Sequence, residues 1–510
     1  MVQSNTSGSA IDISSDAGVS KLQGKAVGLI GVLFLTVTGA APESAMLGNV
    51  PFAAGYGTGI HTPAAFLLAT VVLTLFCVAY AKMATQVSSV GGFYAFIAQG
   101  LGREIGMSAG LTSLACYSIF EASLYGLFAF FGNQWIVNHL GINIGWVWLA
   151  LAAVVGAAIL SVRDVKLSAA VLGVALILEV IALAVLAFGV ITAKTGTSFT
   201  LEALNVFNVT IPVAAQTVGA VVIPAGAAAV GIFMAFWSWV GFEMAPNYAE
   251  ESRDAKRIVP QSLFISVIFL GLFYTLISWC VVSAYPTEGD MLAKAFSDSG
   301  NFFLTPMTTF VGQWATELMS ILILTSSFAC GMAFHNTAAR YMYSLGREGV
   351  LPATFGQTHA VHMSPHVASN TQSLLAAVWI LLFAVMNGFD DPTAQAYLGV
   401  YTLFAVLGTA LLLVLQAVVS IAIWNYFRKN GGGGVFSTVI APWVSFFVQV
   451  YLVYLLVANL ATFAGTSGFA NAIPYIGLAI IVAGLIWGFV LKSVNPEGYR
   501  NIGHMVNSDA

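Results

Sequence analysis

The stretch Thr38-Gly39-Ala40-Ala41-Pro42-Glu43 interrupts one apolar run at mid-length, and Trp239-Val240-Gly241-Phe242-Glu243, with Pro246 beyond, interrupts another. Glycine gives the backbone freedom that other residues lack, while proline removes a donor and blocks the preceding turn. Both runs are long enough to cross a bilayer, so each is expected to hold a broken helix. They are the first and sixth of twelve such runs. An offset of five spans reverses topology, so the pattern predicts two inverted repeats whose broken helices face each other at the midplane. Many secondary transporters build a substrate site in this way. Kinked helices packed through small residues would explain each stretch alone, but not the offset.

The rest of the chain fits that frame. Of 510 residues, 59% are hydrophobic and only 7% are charged, whereas a soluble domain carries about 25% charged residues. Twelve helices of roughly 20 residues occupy about 240 residues of hydrocarbon-spanning chain. Backbone polar groups in lipid must be satisfied within the segment, so runs this long and apolar must be helices; a barrel would show short alternating strands. With the N-terminus inside, only Lys194 and Lys294 fall on the outer face, which leaves 15 of the 17 Lys and Arg residues inside. The expectation is an all-α protein of the cytoplasmic membrane with both termini cytoplasmic and no soluble domain.

The expected organisation is a disordered tail at 1–20, a first repeat of spans 1–5 at 21–192, an external loop and second repeat at 193–430, spans 11 and 12 at 431–492, and a cytoplasmic tail at 493–510. Span 1 is read as Ala26–Ala54, span 3 as Gly106–Phe131, span 6 as Ala227–Ala249 and span 8 as Gln313–Leu345. Cys77, Cys116, Cys280 and Cys330 all lie in apolar runs, which fits small core residues better than a disulfide framework or a zinc site. His359, His362 and His366 fall in a cytoplasmic loop and are not read as a metal site. No basic cluster suggests nucleic acid, and no cofactor motif is present.

Several stretches resemble one family. Gly241-Phe242-Glu243 is followed by Ala249-Glu250-Glu251 and Arg257-Ile258-Val259-Pro260. Asn336 to Arg340 precedes Tyr343-Ser344-Leu345-Gly346-Arg347-Glu348-Gly349-Val350-Leu351-Pro352, and Gly91-Gly92-Phe93-Tyr94 and Arg163-Asp164-Val165-Lys166-Leu167-Ser168 stand at two turns. These are similar, in order and topology from Lys21 to Arg500, to the amino acid–polyamine–organocation permeases. The resemblance implies the leucine-transporter-type fold, a 5+5 inverted repeat plus two additional helices, with alternating access and uptake or exchange of amino acids or related amines. Gly39-Ala40-Ala41-Pro42-Glu43 differs from the Gly-rich break common in the family's first helix.

Four carboxylates lie deep in the spans: Glu43, Glu121, Glu179 and Glu243. An intramembrane charge costs about 2.5–3.5 kcal/mol on insertion scales, so each is a functional candidate. No Lys or Arg lies as deep, and all seven His residues are read as lying in loops, in the tail or near span ends. The carboxylates therefore await a proton, a cation or a cationic substrate group, and they are the proton-coupling candidates, Glu243 first and Glu43 second. A zwitterion needs N–H groups for its carboxylate, expected from Thr38, Gly39, Ala40 and Ala41. It needs free carbonyls for its ammonium, expected near Ser238, Trp239, Val240 and Gly241. One aromatic among Phe236, Trp237 and Trp239 is expected to cover the amine, with Phe236 and Trp237 as gating candidates. Thr325-Ser326-Ser327 forms a hydroxyl run that could hold an ion, Na+ in place of H+, although such hydroxyls often bond the preceding turn instead.

The expected function is thus import of an amino acid or small amine, proton-coupled, with a polyamine or other cationic amine permease or exchanger as the alternative. A membrane-embedded enzyme would want H-E-x-x-H, a zinc set, a deep Ser/His pair or a nucleotide loop, and the sequence has none. A proton-translocating subunit of a membrane complex would want deep Lys or His relays.

Overall fold

The computed structural model describes residues 27–87, 91–161, 165–194, 199, 201–359, 362, 364–389, 395–465 and 467–503. The expected tail at 1–20, residues 504–510 of the C-terminal tail, and Arg163 and Asp164 of the expected turn lie outside the described residues. Among the described residues, ten helical stretches are long and apolar enough to cross a membrane, and Trp146–Ser161 is a shorter apolar helix. The chain is a multi-pass helical membrane protein.

The first stretch divides into α1 (Leu29–Ala40), α2 (Pro42–Ala53) and α3 (Thr62–Ala84). Next come α4 (Gly92–Leu101), α5 (Arg103–Leu140), α6 (Trp146–Ser161) and α7 (Val165–Lys194). An antiparallel hairpin, β1 (Gln216–Val218) with β2 (Val221–Ile223), places Thr217 opposite Val222. After α8 (Ala228–Trp237) and a 3-10 segment at Phe242–Tyr248 come α9 (Ala255–Val282), α10 (Glu288–Ser297), α11 (Leu304–Phe310) and α12 (Gln313–Arg347). The chain continues through α13 (His366–Asn387), α14 (Thr402–Asn430), α15 (Ala441–Ala458), α16 (Leu460–Ala464), α17 (Gly468–Val494) and α18 (Pro496–Asn501).

Local chemistry sets these ends. Pro42 and Pro63 stand in the first turns of α2 and α3, where a missing N–H leaves no helix bond unmade. The side chains of Asp254, Thr287 and Ser467 each accept a backbone N–H at the start of α9, α10 and α17. α5 covers 38 residues, well past the expected Gly106–Phe131, because its polar ends extend beyond the apolar run until Gly141 turns left-handed. The amphipathic α10 and the seven-residue α11 fill the connection before α12, and neither is foreseen from the apolar pattern.

Burial orders the spans from centre to rim. Of the Ala228–Tyr248 window 94% is buried, against 33% for Phe436–Ala458 and 22% for Gly468–Val494. The second interrupted segment is therefore central, all twelve residues of α2 are buried as well, and α15 and α17 are peripheral, with Phe447, Tyr454 and Phe489 pointing outward. Glycines still let α17 approach α5 closely: a Cβ on Gly484 would lie 2.7 Å from the Ser108 backbone.

Candidate functional site

The first interruption is a single residue. Ala41 adopts φ 39°, ψ 80°, the one positive-φ non-glycine residue among those described, and Pro42 follows without an N–H. The second lies between α8 and the 3-10 segment. There, three-residue bonds replace the helical ladder, Val240 N–H donating to Trp237 O and Phe242 N–H to Trp239 O, and Gly241 takes φ 121°. The carbonyls of Ser238 and Val240 accept none of these turn bonds. The interruptions touch. A Cβ on Gly241 would stand 2.4 Å from the Gly39 carbonyl carbon and 2.6 Å from the Ala40 nitrogen. Only glycine permits both that φ and that approach.

Beside this contact lies a cavity of about 20 Å³, room for little more than one water. Of the expected substrate contacts, Gly39, Ala40, Ala41, Ser238 and Val240 line it, and Trp237 is the aromatic that does. Thr38, Trp239 and Gly241 stand off it. Trp239 packs instead against Tyr274, with ring centroids 5.2 Å apart, and its Nε1 donates to Val267 O at 3.4 Å. Phe236 faces a separate small cavity with Gln416. Among the lining residues that escape the sequence reading are Asn49 and Tyr401. Asn49 Nδ2 donates to Ser238 Oγ at 2.9 Å, the Tyr401 hydroxyl donates to Asn49 Oδ1 at 2.8 Å, and the Tyr401 ring stacks at 4.9 Å on Trp237. An amide in a buried apolar turn beyond the break was the available signal for Asn49. No carboxylate lines the cavity.

The four deep carboxylates are all buried but separate into three places. Glu243 accepts from the Tyr117 hydroxyl at 2.8 Å and the Gly241 N–H at 2.9 Å, so both oxygens have donors. Glu43, in the first turn of α2, has no hydrogen-bond partner for either oxygen among the described residues. Glu179 of α7 is its acidic neighbour and accepts the Glu43 backbone N–H and the Ser326 hydroxyl, the latter at 2.8 Å. Ser44 N–H and Ser44 Oγ both donate to Ser326 Oγ, at 3.2 and 2.9 Å. The α2 amides after Pro42 are thus engaged by α7 and α12, and an internal carboxylate holds the positive end of that half-helix. The hydroxyl run divides: Thr325 and Ser327 bond the preceding turn, at 2.9 and 2.8 Å, and only Ser326 reaches the carboxylates.

Glu121 forms the third place and corrects the histidine reading. His335 lies on α12, fully buried, with Nδ1 3.0 Å from Glu121 Oε1. Its face carries Ser327, Gly331 and His335 at helical spacing, and a Cβ on Gly331 would meet Tyr125 of α5 at 2.3 Å, so this face looks into the bundle. The spacing held the signal.

Cations are buried within the protein as well. Arg340, on α12, is 5% exposed. It grips Glu251 through Nε at 3.1 Å and Nη2 at 2.8 Å and covers the Tyr248 ring at 4.6 Å. Arg347 pairs with Glu250 at 2.9 Å, and Val27 N–H donates to Glu251 O, tying the chain before α1 to the same point. Opposite, Tyr397 stacks on Phe130 at 4.7 Å and meets Phe52 at 5.2 Å. Both clusters, the ion pairs and the aromatic rings, are built from residues outside the cavity lining. Among the described residues no group of His, Cys, Asp and Glu is arranged to hold a metal ion.

Residues 27–490 match the family described as amino acid permease. The low-affinity putrescine importer PlaP of Escherichia coli (strain K12) is 25% identical over 308 residues, 60% of this chain and 64% of that protein. The chain thus spans just under two thirds of that relative's length. The branched-chain amino acid permease BcaP of Lactococcus lactis subsp. cremoris (strain MG1363) is 24% identical, covering 72% of this chain and 74% of its own. The aspartate-proton symporter of Bacillus subtilis (strain 168) is 24% identical over 34% of each chain. With a match that runs from the start of α1 almost to the end of α17, the chain belongs to the amino acid permease family.

Proposed function

We propose that this protein is a secondary transporter that imports a neutral zwitterionic amino acid across the cytoplasmic membrane by alternating access, coupled to protons. The observation that carries the reading is the meeting of two interrupted helices beside a buried cavity that no carboxylate among the described residues lines, with the Ser238 and Val240 carbonyls outside the turn bonds. A diamine would leave its ammonium groups there without an anion, which favours an amino acid over a polyamine. Leu124 and Phe334 beside Asn49 and Tyr401 suit an uncharged side chain. A cavity of about 20 Å³ admits no such molecule until Trp237, Tyr401 or the ion-pair cluster moves, as alternating access requires.

The proposed topology has twelve crossings. The 56-residue stretch Leu29–Ala84 is, at 1.5 Å per residue, more than twice the roughly 30 Å hydrocarbon thickness. It supplies two crossings, and Trp146–Ser161 supplies another. Residues 21–192 and 193–430 then form inverted repeats, with residues 431–492 appended and both termini cytoplasmic.

For coupling, the geometry shifts weight from Glu243 to Glu43. Glu243 has two donors, whereas Glu43 has none and faces Glu179. Two buried carboxylates side by side are stable only when they share a proton or a cation. Opening of the break moves α2 relative to α7 and releases it. In liposomes, Glu43→Gln is expected to lower pH-gradient-driven uptake at least tenfold while substrate still raises the unfolding temperature. Unchanged gradient-driven uptake in Glu43→Gln and Glu243→Gln alike would overturn the coupling. Stabilisation by putrescine and by no amino acid would overturn the substrate class, and a sodium requirement in place of the pH gradient would replace the ion.

A further inference from the structure

We propose that Glu121 and His335 form a second proton site, set apart from the substrate cavity and filled through a chain of serine hydroxyls from the end of the membrane where α6 finishes and α13 begins. Both side chains are fully buried, on neighbouring central helices, and no part of the coupling described above uses His335. Around them four helices build one connected network. His335 Nδ1 lies 3.0 Å from Glu121 Oε1, and Gln372 Nε2 of α13 donates to Glu121 Oε2 at 2.7 Å. His335 Nε2 lies 2.9 Å from Ser369 Oγ, which lies 2.6 Å from Ser161 Oγ. Ser118, one turn before Glu121, accepts from Gln372 Nε2 and from Trp379 Nε1, at 3.0 and 3.2 Å, and so fixes the amide.

The hydroxyl chain satisfies both protonation states without moving a heavy atom. With a neutral imidazole, Nδ1–H donates to Glu121, Ser369 O–H donates to Nε2, and Ser161 O–H donates to Ser369. With the imidazolium, Nε2–H donates to Ser369 Oγ, and Ser369 O–H turns to Ser161. A proton entering at Ser161 is taken by its oxygen, Ser161 passes its own hydrogen to Ser369, and Ser369 passes its own to Nε2. Both serines end as neutral hydroxyls, and one proton is gained at His335. A structural histidine needs only one fixed partner per nitrogen. A row of two reorientable hydroxyls, Ser369 and Ser161, is what a proton path needs.

Few other ionisable groups face the pair. On α5 the neighbour is the Tyr125 phenol. α12 brings Arg340 five residues on, already held by Glu251. α13 carries His366 one turn before Ser369, and α6 carries no ionisable residue among those described. In the twelve-span topology Ser161 lies at the cytoplasmic end, so the site reads internal pH. Phe334, next to His335, lines the substrate cavity, and Tyr117, one turn from Glu121, holds Glu243. Protonation here therefore acts on the two helices that frame the site.

The assay uses the full-length protein in liposomes with 15N-labelled histidine, His335→Gln identifying the His335 ring signals. The ring nitrogens are expected to change from the neutral to the charged pattern as the pH is lowered. Ser369→Ala, which keeps the Glu121 contact but removes the hydroxyl at Nε2, is expected to change the pH at which the pattern switches. Uptake at fixed external pH should vary with internal pH in the wild type and become flat in His335→Gln. A His335 ring that keeps one pattern across the range, or an identical internal-pH profile in wild type and His335→Gln, overturns the proposal. The spectroscopic arm is independent of the transport reading: titration of His335 in a protein that moves no amino acid sustains the proton site and refutes the transport reading alone.

Discussion

Replacement of Gly241 by alanine tests the contact on which the site depends. The added Cβ would lie 2.4 Å from the Gly39 carbonyl carbon, 2.6 Å from the Ala40 nitrogen and 2.7 Å from the Gly39 oxygen, all backbone atoms that cannot rotate away. Ordinary contact begins at 3.4 Å, so the two interruptions must separate by about 1 Å, an overpacking cost of about 1–3 kcal/mol. The φ of 121° adds about 1–2 kcal/mol for an L-residue. Together Gly241→Ala is expected to destabilise the protein by about 2–5 kcal/mol. Two companions scale it. Gly39→Ala would strike the Met244 methyl at 2.0 Å, the end of a flexible side chain, and is expected to cost less. Gly219→Ala, at φ 57° with nothing within 4 Å, carries the backbone term alone, about 1 kcal/mol. Thermal unfolding of the purified proteins, with uptake in liposomes, should rank them Gly241→Ala, Gly39→Ala, Gly219→Ala in falling severity. If Gly241→Ala melts within about 1 °C of Gly219→Ala and transports normally, the two interruptions do not bear on each other.

Two other changes probe the cavity wall and the buried ion pair. Trp237→Ala removes the ring that stacks on Tyr401 and should weaken substrate binding about tenfold or more, read as a smaller ligand-induced rise in unfolding temperature; undiminished affinity would exclude Trp237 as a contact. Arg340→Ala strands the buried Glu251 carboxylate and should cost about 3–5 kcal/mol, and adding Glu251→Gln should recover part of that loss. A double variant no more stable than Arg340→Ala would show that the pair is not the source of the cost.

Gly39, Pro42 and Gly241 made the site's neighbourhood legible because their effects are local. A missing N–H or a missing Cβ acts on the residue's own turn, whatever surrounds it. The aromatic choice was not legible in the same way. Trp237 and Trp239 are two residues apart and chemically identical, and only the neighbours Tyr401 and Tyr274 decide that one faces the cavity and the other the packing between helices. The hydroxyl run shows the same limit, since Ser326 differs from Thr325 and Ser327 only in the direction its helix face presents.

By itself the sequence determined a multi-pass helical membrane chain, and it named Gly39 to Pro42 and Gly241 as the places to look for a departure from regular helix. Those follow from transfer of apolar side chains out of water and from backbone rules that hold residue by residue. Tertiary structure alone decided the partners. Ser44 meets Ser326 across 282 positions, Glu121 meets His335 across 214, and Arg340 meets Glu251 across 89. A charge buried in a dry interior is stable only beside whichever group folding brings to it. The meaning of each deep carboxylate was therefore fixed by distances that no stretch of sequence contains.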